Sequence, residues 1–293
     1  MNVRFTLRCL LGSVAIVLAA CSREPGYSQA SPEATIATAK QMVRDGKAGL
    51  LVKLIHSDDE NMSRCLNRIG HTLGSLQTLA KELNGAFPDD VRKLRDEAAK
   101  QTSKSGIAGL SRTFTGGRAS RREGAQSDAM NSTLTRLFAS PFEVLEEEGA
   151  NLTALQLDSE TYSLLYKNGP IVPGVPLLMK RNTKDSRWYF VLPTDLPLIS
   201  GYFFKTPDAW RTYTGLVATL DNIVKDLTQD VREGKVKSLS DTARVAGEKA
   251  FTSLPFAIIA LDRLTAAERK ARGFASPASV PSPPSPPALA PPK

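Results

Sequence analysis

Apolar positions recur at helical spacing towards both ends of the chain and crowd into short strand-like runs in its middle. Ser31-Pro32-Glu33 supplies a capping side chain, a proline at the first helical position and an early acid. Ile36, Ala39 or Lys40, and Val43 follow at helical spacing until Asp45-Gly46, and residues 48–55 read as a short apolar helix. Met62, Leu66, Ile69, Leu73, Leu76, Ala80 and Leu83 then step by 4 and 3 in alternation, with Asn84-Gly85 as the expected stop. A matching stripe follows Thr206-Pro207: Trp210, Tyr213, Val217, Leu220, Val224, Leu227 and Val231, ended by Gly234. Spacing near 3.5 residues suits two helices packed along one another. The two stripes are therefore predicted to pair, with Leu73 and Leu220 at the middle of the contact. Residues 239–251 and 254–273 read as two more helices, and the apolar run over 254–261 is far too short to cross a bilayer.

Between the helical parts lie short strand-like runs at 142–146, 152–157, 161–166, 175–180 and 187–192. Gly149-Ala150-Asn151, Asp158-Ser159, Lys167-Asn168-Gly169-Pro170 and residues 182–186 separate them, each carrying turn residues. Connections this short favour an antiparallel meander, because parallel neighbours need long crossovers. The fold class is α+β: a meander sheet of four or five strands packed against several helices, with a C-terminal helical extension over 205–274.

The N-terminus carries Arg4 and Arg8, then an apolar stretch of 12 residues from Cys9 to Ala20. That is the plan of a secretory signal peptide over 1–20. Its ending, Leu18-Ala19-Ala20-Cys21, resembles the lipobox of bacterial lipoproteins. The resemblance implies cleavage before Cys21 and covalent diacylglyceryl and acyl groups on that residue, with no other cofactor. Two or three acyl chains meet the requirement of more than one membrane signal for stable anchoring. In relatives that carry this motif an Asp after the cysteine implies inner-membrane retention, so by the same resemblance Ser22 implies the outer membrane. Residues 21–30 read as a lipidated tether. Cys9 leaves with the signal and Cys21 is acylated, so Cys65 stands alone, without a disulfide partner, as a small buried apolar residue. At the other end, 275–293 holds 8 Pro, 4 Ser and 4 Ala in 19 residues. It is read as an extended disordered tail, reaching about 55–60 Å at about 3.1 Å per residue, or as a proline-rich recruiting segment of an adaptor.

The chain of 293 residues is 41% hydrophobic and 23% charged, which excludes a collagen-like or wholly disordered chain. Its net charge of +8 is concentrated in one place. Residues 92–122 carry nine cations, among them Arg112, Arg118, Arg121 and Arg122, against Asp96 and Glu97. This segment is part of a helical and basic insert at 86–125 within a body spanning 31–204. Phe114 is its only aromatic residue, which gives base stacking little support. An exported chain points instead to anionic lipid or a cell-wall polymer, and away from nucleic acid.

Chemistry-bearing motifs are sparse. Gly70-His71-Thr72-Leu73-Gly74 has Thr where a nucleophile elbow needs Ser. Walker A, dinucleotide and Ser-x-x-Lys patterns are not found. His56, Asp58, Asp59, Glu60, Cys65 and His71 are the only cluster of metal-ligand types, and their spacing matches no zinc pattern. Glu146-Glu147-Glu148 reads as a solvated acidic run. No catalytic residue and no metal ligand is assigned.

Two blocks together resemble the nuclear transport factor two-like lipoproteins, cone-shaped α+β domains. The first is Ser31-Pro32-Glu33, Asp45-Gly46-Lys47 and Leu50-Leu51-Val52-Lys53-Leu54; the second is Val175 to Lys180 with Asp185-Ser186-Arg187-Trp188-Tyr189-Phe190-Val191. The family implies a pocket between sheet and helices, but none of its enzymatic polar residues maps onto this chain. The expectation is a lipid-anchored envelope lipoprotein that binds a periplasmic or surface protein partner without catalysis. The alternative is a small-molecule binder or enzyme with a pocket between sheet and helices.

Overall fold

The computed structural model describes residues 26–94, 96, 138–142, 145, 148–170, 176–192, 204 and 206–271. Cys21, Arg112, Arg118, Arg121, Arg122, Glu146, Glu147 and the proline-rich tail lie outside them.

Helix α1 spans Pro32–Arg44, and the Ser31 side chain accepts the Ala34 N–H as its cap. Replacing such a cap by Ala typically costs about 1 kcal/mol. A 3₁₀ helix, Ala48–Leu54, lies backbone to backbone on helix α2, Glu60–Ala86. A Cβ on Gly70 would stand 2.6 Å from the Gly49 carbonyl oxygen, and one on Gly49 would stand 2.8 Å from that of Gly70. Both positions therefore need glycine. Gln77 ties the junction, donating to the Val43 carbonyl and accepting from the Ala48 N–H.

Helix α2 does not stop at Asn84-Gly85. It runs to Ala86, and the break comes at Phe87, with φ −132° and ψ 56°. The cause is Pro88, which disfavours the helical region for the residue before it. Residues 88–94 are again helical, and Val91 is buried.

The sheet contains β1 (Ile55–His56), β2 (Leu152–Gln156), β3 (Thr161–Tyr166), β4 (Gly169–Pro170), β5 (Leu177–Arg181) and β6 (Trp188–Val191). Its order is β1-β6-β5-β3-β2, with β4 paired to β3. The expected meander accounts for β2, β3, β5 and β6, all antiparallel; β1 adds to β6 in parallel, which makes the sheet mixed. Lys167 and Asn168 both have positive φ, the geometry of a tight primed turn. One face presents Leu164, Leu177, Met179, Trp188 and Phe190 to Ile36 of α1. The expected strand at 142–146 is not formed where it is described: Phe142 lies in a turn, Leu145 is helical and its N–H bonds the Phe142 carbonyl. Leu145 packs beside Ala39, Met42 and Leu54 instead.

The expected tether is shorter than ten residues. Tyr27 packs in that same cluster and bonds Asp45, Thr38 Oγ1 donates to the Ser28 carbonyl, and Gln29 exchanges hydrogen bonds with the Trp188 backbone. The docked body therefore begins at Tyr27.

Helix α3 spans Pro207–Arg232, capped by Thr206 and followed by Gly234 at φ +68°. It pairs with α2 as the stripes require. Arg68 meets Ala218, Ser75 meets Asp221 and Glu82 meets Arg232. Numbers rise together along both helices, so the two run in the same direction. The contact face is rotated from the expected one. Leu220 is 38% exposed whereas Asp221 is fully buried, and Leu79, outside the expected stripe, is fully buried while Leu73 is half-buried. Each helix serves several neighbours, so its buried face is wider than a coiled-coil seam.

Helices α4 (Leu239–Ser253) and α5 (Pro255–Ala271) complete the expected C-terminal helical part. It is no mere extension: Val224, Leu227, Val231, Val236, Leu239 and Ala246 share a core with Leu79, Leu83, Val91 and Phe138. Glu268 of α5 accepts from the Thr206 N–H and hydroxyl, tying α5 back to the start of α3. Among the described residues no single helix is long and apolar enough to cross a membrane.

Candidate functional site: an apolar cavity beside Cys65

The first turns of α2 and α3 diverge from the packing seen further along. Val52 of the 3₁₀ helix holds Met62 and Leu66, and this cluster extends to Ile69, Leu73, Leu192 and Trp210. Between these groups lies a partly open cavity of about 220 Å³, walled by Met62, Cys65, Leu66, Ile69, Leu192, Phe204, Trp210 and Tyr213. Phe204 meets Trp210 edge-on at 5.3 Å and Tyr213 at 5.1 Å. Three rings on one wall are rigid and cannot interdigitate as aliphatic side chains do.

The lining carries no charge. Burial pushes the Cys65 thiol up, against a hydrogen bond with the Thr214 side chain that pulls it down. Burial also raises the Tyr213 phenol, and a Cys65 thiolate would raise it further. Both groups are therefore neutral at physiological pH. The cavity offers apolar walls with a thiol and a phenol as its polar points, the composition of a site for an uncharged apolar group.

A polar cluster closes the inner side of the helix pair. Asp221 accepts from Ser75 at 2.6 Å, with Lys225 at 2.9 Å and Arg68 at 3.3 Å from its other oxygen. Burial alone pushes its carboxyl up, but the hydrogen bonds from Ser75 and Lys225 and the charges of Lys225 and Arg68 prevail and lower it. Asp221 thus stays ionised and pins the register of the two helices.

The cluster of metal-ligand types is taken apart by the fold. His56 Nε2 lies 3.0 Å from Asp58 Oδ2, Asp59 caps α2 through the Met62 N–H, and Glu60 pairs with Arg64. Cys65 is buried in the cavity wall, as expected, and His71 is exposed on α2. Among the described residues no group of three such side chains is set to hold a metal ion. A second, polar hollow of about 250 Å³ joins His56 and Asp58 to the β5–β6 turn at Lys180, Arg181, Asn182, Thr183 and Lys184. Its cations are surface side chains.

Met62, Leu66, Ile69, Trp210 and Tyr213 are core positions by their helical spacing. Leu192, just after β6, and Phe204, just before α3, complete a hollow there, which spacing along either helix does not reveal. Asp221 stands beside the expected stripe, one residue after Leu220, at helical spacing from Val217 and Val224. No family model, curated protein or solved structure matches this chain.

Proposed function

We propose that the chain is a lipid-anchored lipoprotein of the bacterial cell envelope, in the outer rather than the inner membrane, whose body binds an uncharged apolar group without catalysis. The observation that carries the binding half is the cavity beside Cys65, with eight apolar or aromatic lining residues and no charged one. It favours the small-molecule form of that binding over recognition of a flat protein surface. The anchoring half rests on Leu18-Ala19-Ala20-Cys21 and the acyl groups the resemblance implies. Five residues lie between Cys21 and docked Tyr27, six backbone steps with a reach of about 20 Å at full extension, so the anchor would keep the body at the head groups. Arg112, Arg118, Arg121 and Arg122 are the proposed contact with anionic lipid or wall polymer.

The test is a titration with N-phenyl-1-naphthylamine, a neutral probe that brightens in apolar surroundings. All described contacts begin after Gly26, so a chain starting at Ser22 keeps the folded body. A saturable single-site rise is expected, lost in Ile69→Trp, which fills the cavity, and kept in Lys184→Ala at the polar hollow. Binding unaffected by Ile69→Trp contradicts the reading. For the anchor, Cys21→Ser should abolish partition into the detergent phase.

A further inference from the structure

The two most exposed large apolar side chains of the described body flank one corner. Phe251, in the last turn of α4, is 80% exposed, and Phe256, in the first turn of α5, is 85% exposed; Ile258 and Ile259 are about half exposed. The two helices meet there at 59°. The twelve residues from Ala250 to Leu261 contain no charge. Soluble surfaces scatter single apolar residues, but a contiguous patch of this kind marks a contact.

The two phenylalanines stand on either side of the break between the helices and line neither of the two cavities described above. Together α4 and α5 have the length and composition of a bent pair rather than of one straight membrane span. The opposite face of α4 is committed to the protein core through Leu239, Ala243 and Ala246. Insertion as a shallow wedge is the membrane contact that this geometry permits. Interfacial elements of this type bury their apolar face about 5–10 Å below the head groups.

We propose that the α4–α5 corner is a lipid-bilayer contact, in which Phe251 and Phe256 enter the acyl boundary and fix the orientation of the body. The setting rests on the anchored reading: the short reach from Cys21 to Tyr27 holds the body where a weak wedge acts at high effective concentration. The contact itself needs no acyl group, so the two readings fail separately.

The experiment uses the unacylated chain from Ser22 with phosphatidylcholine vesicles in high salt, which suppresses the contribution of the basic segment. Binding is measured by flotation, and Phe256→Trp is read by its emission and by quenching with brominated phosphatidylcholine, against the signal of the two native tryptophans. The expected results are measurable binding, a loss of about tenfold per phenylalanine in Phe251→Ser and Phe256→Ser, and quenching of the new tryptophan by shallow bromines. Both side chains are too exposed for these variants to unfold the chain. The proposal is overturned if the wild-type chain does not float, if the double variant floats equally, or if the new tryptophan stays unquenched. It is also overturned if that tryptophan is already shielded without vesicles, either by self-association seen in sedimentation or by residues 275–293, as judged by deleting them. Failure of Cys21→Ser to release the protein from cells contradicts the lipobox reading and leaves this result standing.

Discussion

The two ends of the α2–α3 pair are built from the same helices and packed differently. At the C-terminal end Leu79, Leu83, Leu227 and Val231 interlock, and Leu239 and Ala246 of α4, Val236 of the loop before it and Val91 of the 88–94 helix pack into the same core. At the N-terminal end Trp210, Tyr213 and Phe204 face Met62, Cys65 and Ile69 across a space of about 220 Å³. Aliphatic side chains from four elements can fill a volume; three stiff rings along one wall leave one. The ionised Asp221 lies between, tying Ser75, Lys225 and Arg68. The difference teaches that one helix pair can provide both a stable core and a site, provided that the polar cluster fixes its register.

Leu227→Ala offers the largest break in this comparison. Leu227 is fully buried, so its truncation should cost about 2–5 kcal/mol in chemical denaturation. Ile69→Ala enlarges an existing hollow and should cost about 1 kcal/mol. Equal losses would mean that the ends are packed alike.

Asp221→Asn comes next, with about 1–3 kcal/mol at neutral pH. The folded carboxyl titrates below its ordinary value. Its stabilisation is complete above the unfolded value, about 3.9, and disappears as pH falls through the folded one. The gap between variant and wild type should therefore narrow below about pH 4. A gap that does not change with pH contradicts the ionised assignment.

Leu220→Ala sharpens the picture with a small effect. At 38% exposed, Leu220 should tolerate the change within about 0.5 kcal/mol, whereas a loss near that of Leu227 would restore the unrotated stripe.

Local signals were legible in the sequence wherever one residue type dictates one backbone choice. Ser31-Pro32 and Thr206-Pro207 start helices as expected, Gly234 follows α3 at positive φ, and Lys167-Asn168 turns the chain. The pairing of α2 with α3 was legible from periodicity. Features decided by several elements at once were not. The two-residue strand β1 exists only because β6 lies beside it. The rotation that exposes Leu220 and buries Asp221 depends on Ser75 and Arg68, about 150 residues away. The run at 142–146 is short and apolar enough to read as a strand, but Leu145 is drawn into the core beneath α1. A cavity is a failure to fill space, which no residue pattern encodes. The apolar run at 254–261 was visible, but its exposure at a helix corner was not.

The central claim, that the helix pair is hollow beside Cys65, is tested most directly through that thiol, the only one in the chain from Ser22. Its alkylation is followed by mass spectrometry at alkaline pH with N-ethylmaleimide and with a bulky anionic maleimide. The small neutral reagent should react, the anionic one should lag, and Ile69→Trp or saturating N-phenyl-1-naphthylamine should slow the neutral reaction at least about tenfold, since a filled site blocks the cavity that leads to the buried sulfur. Unfolding of the variant would instead speed both reagents. Equal neutral rates with and without the filled site would contradict the account.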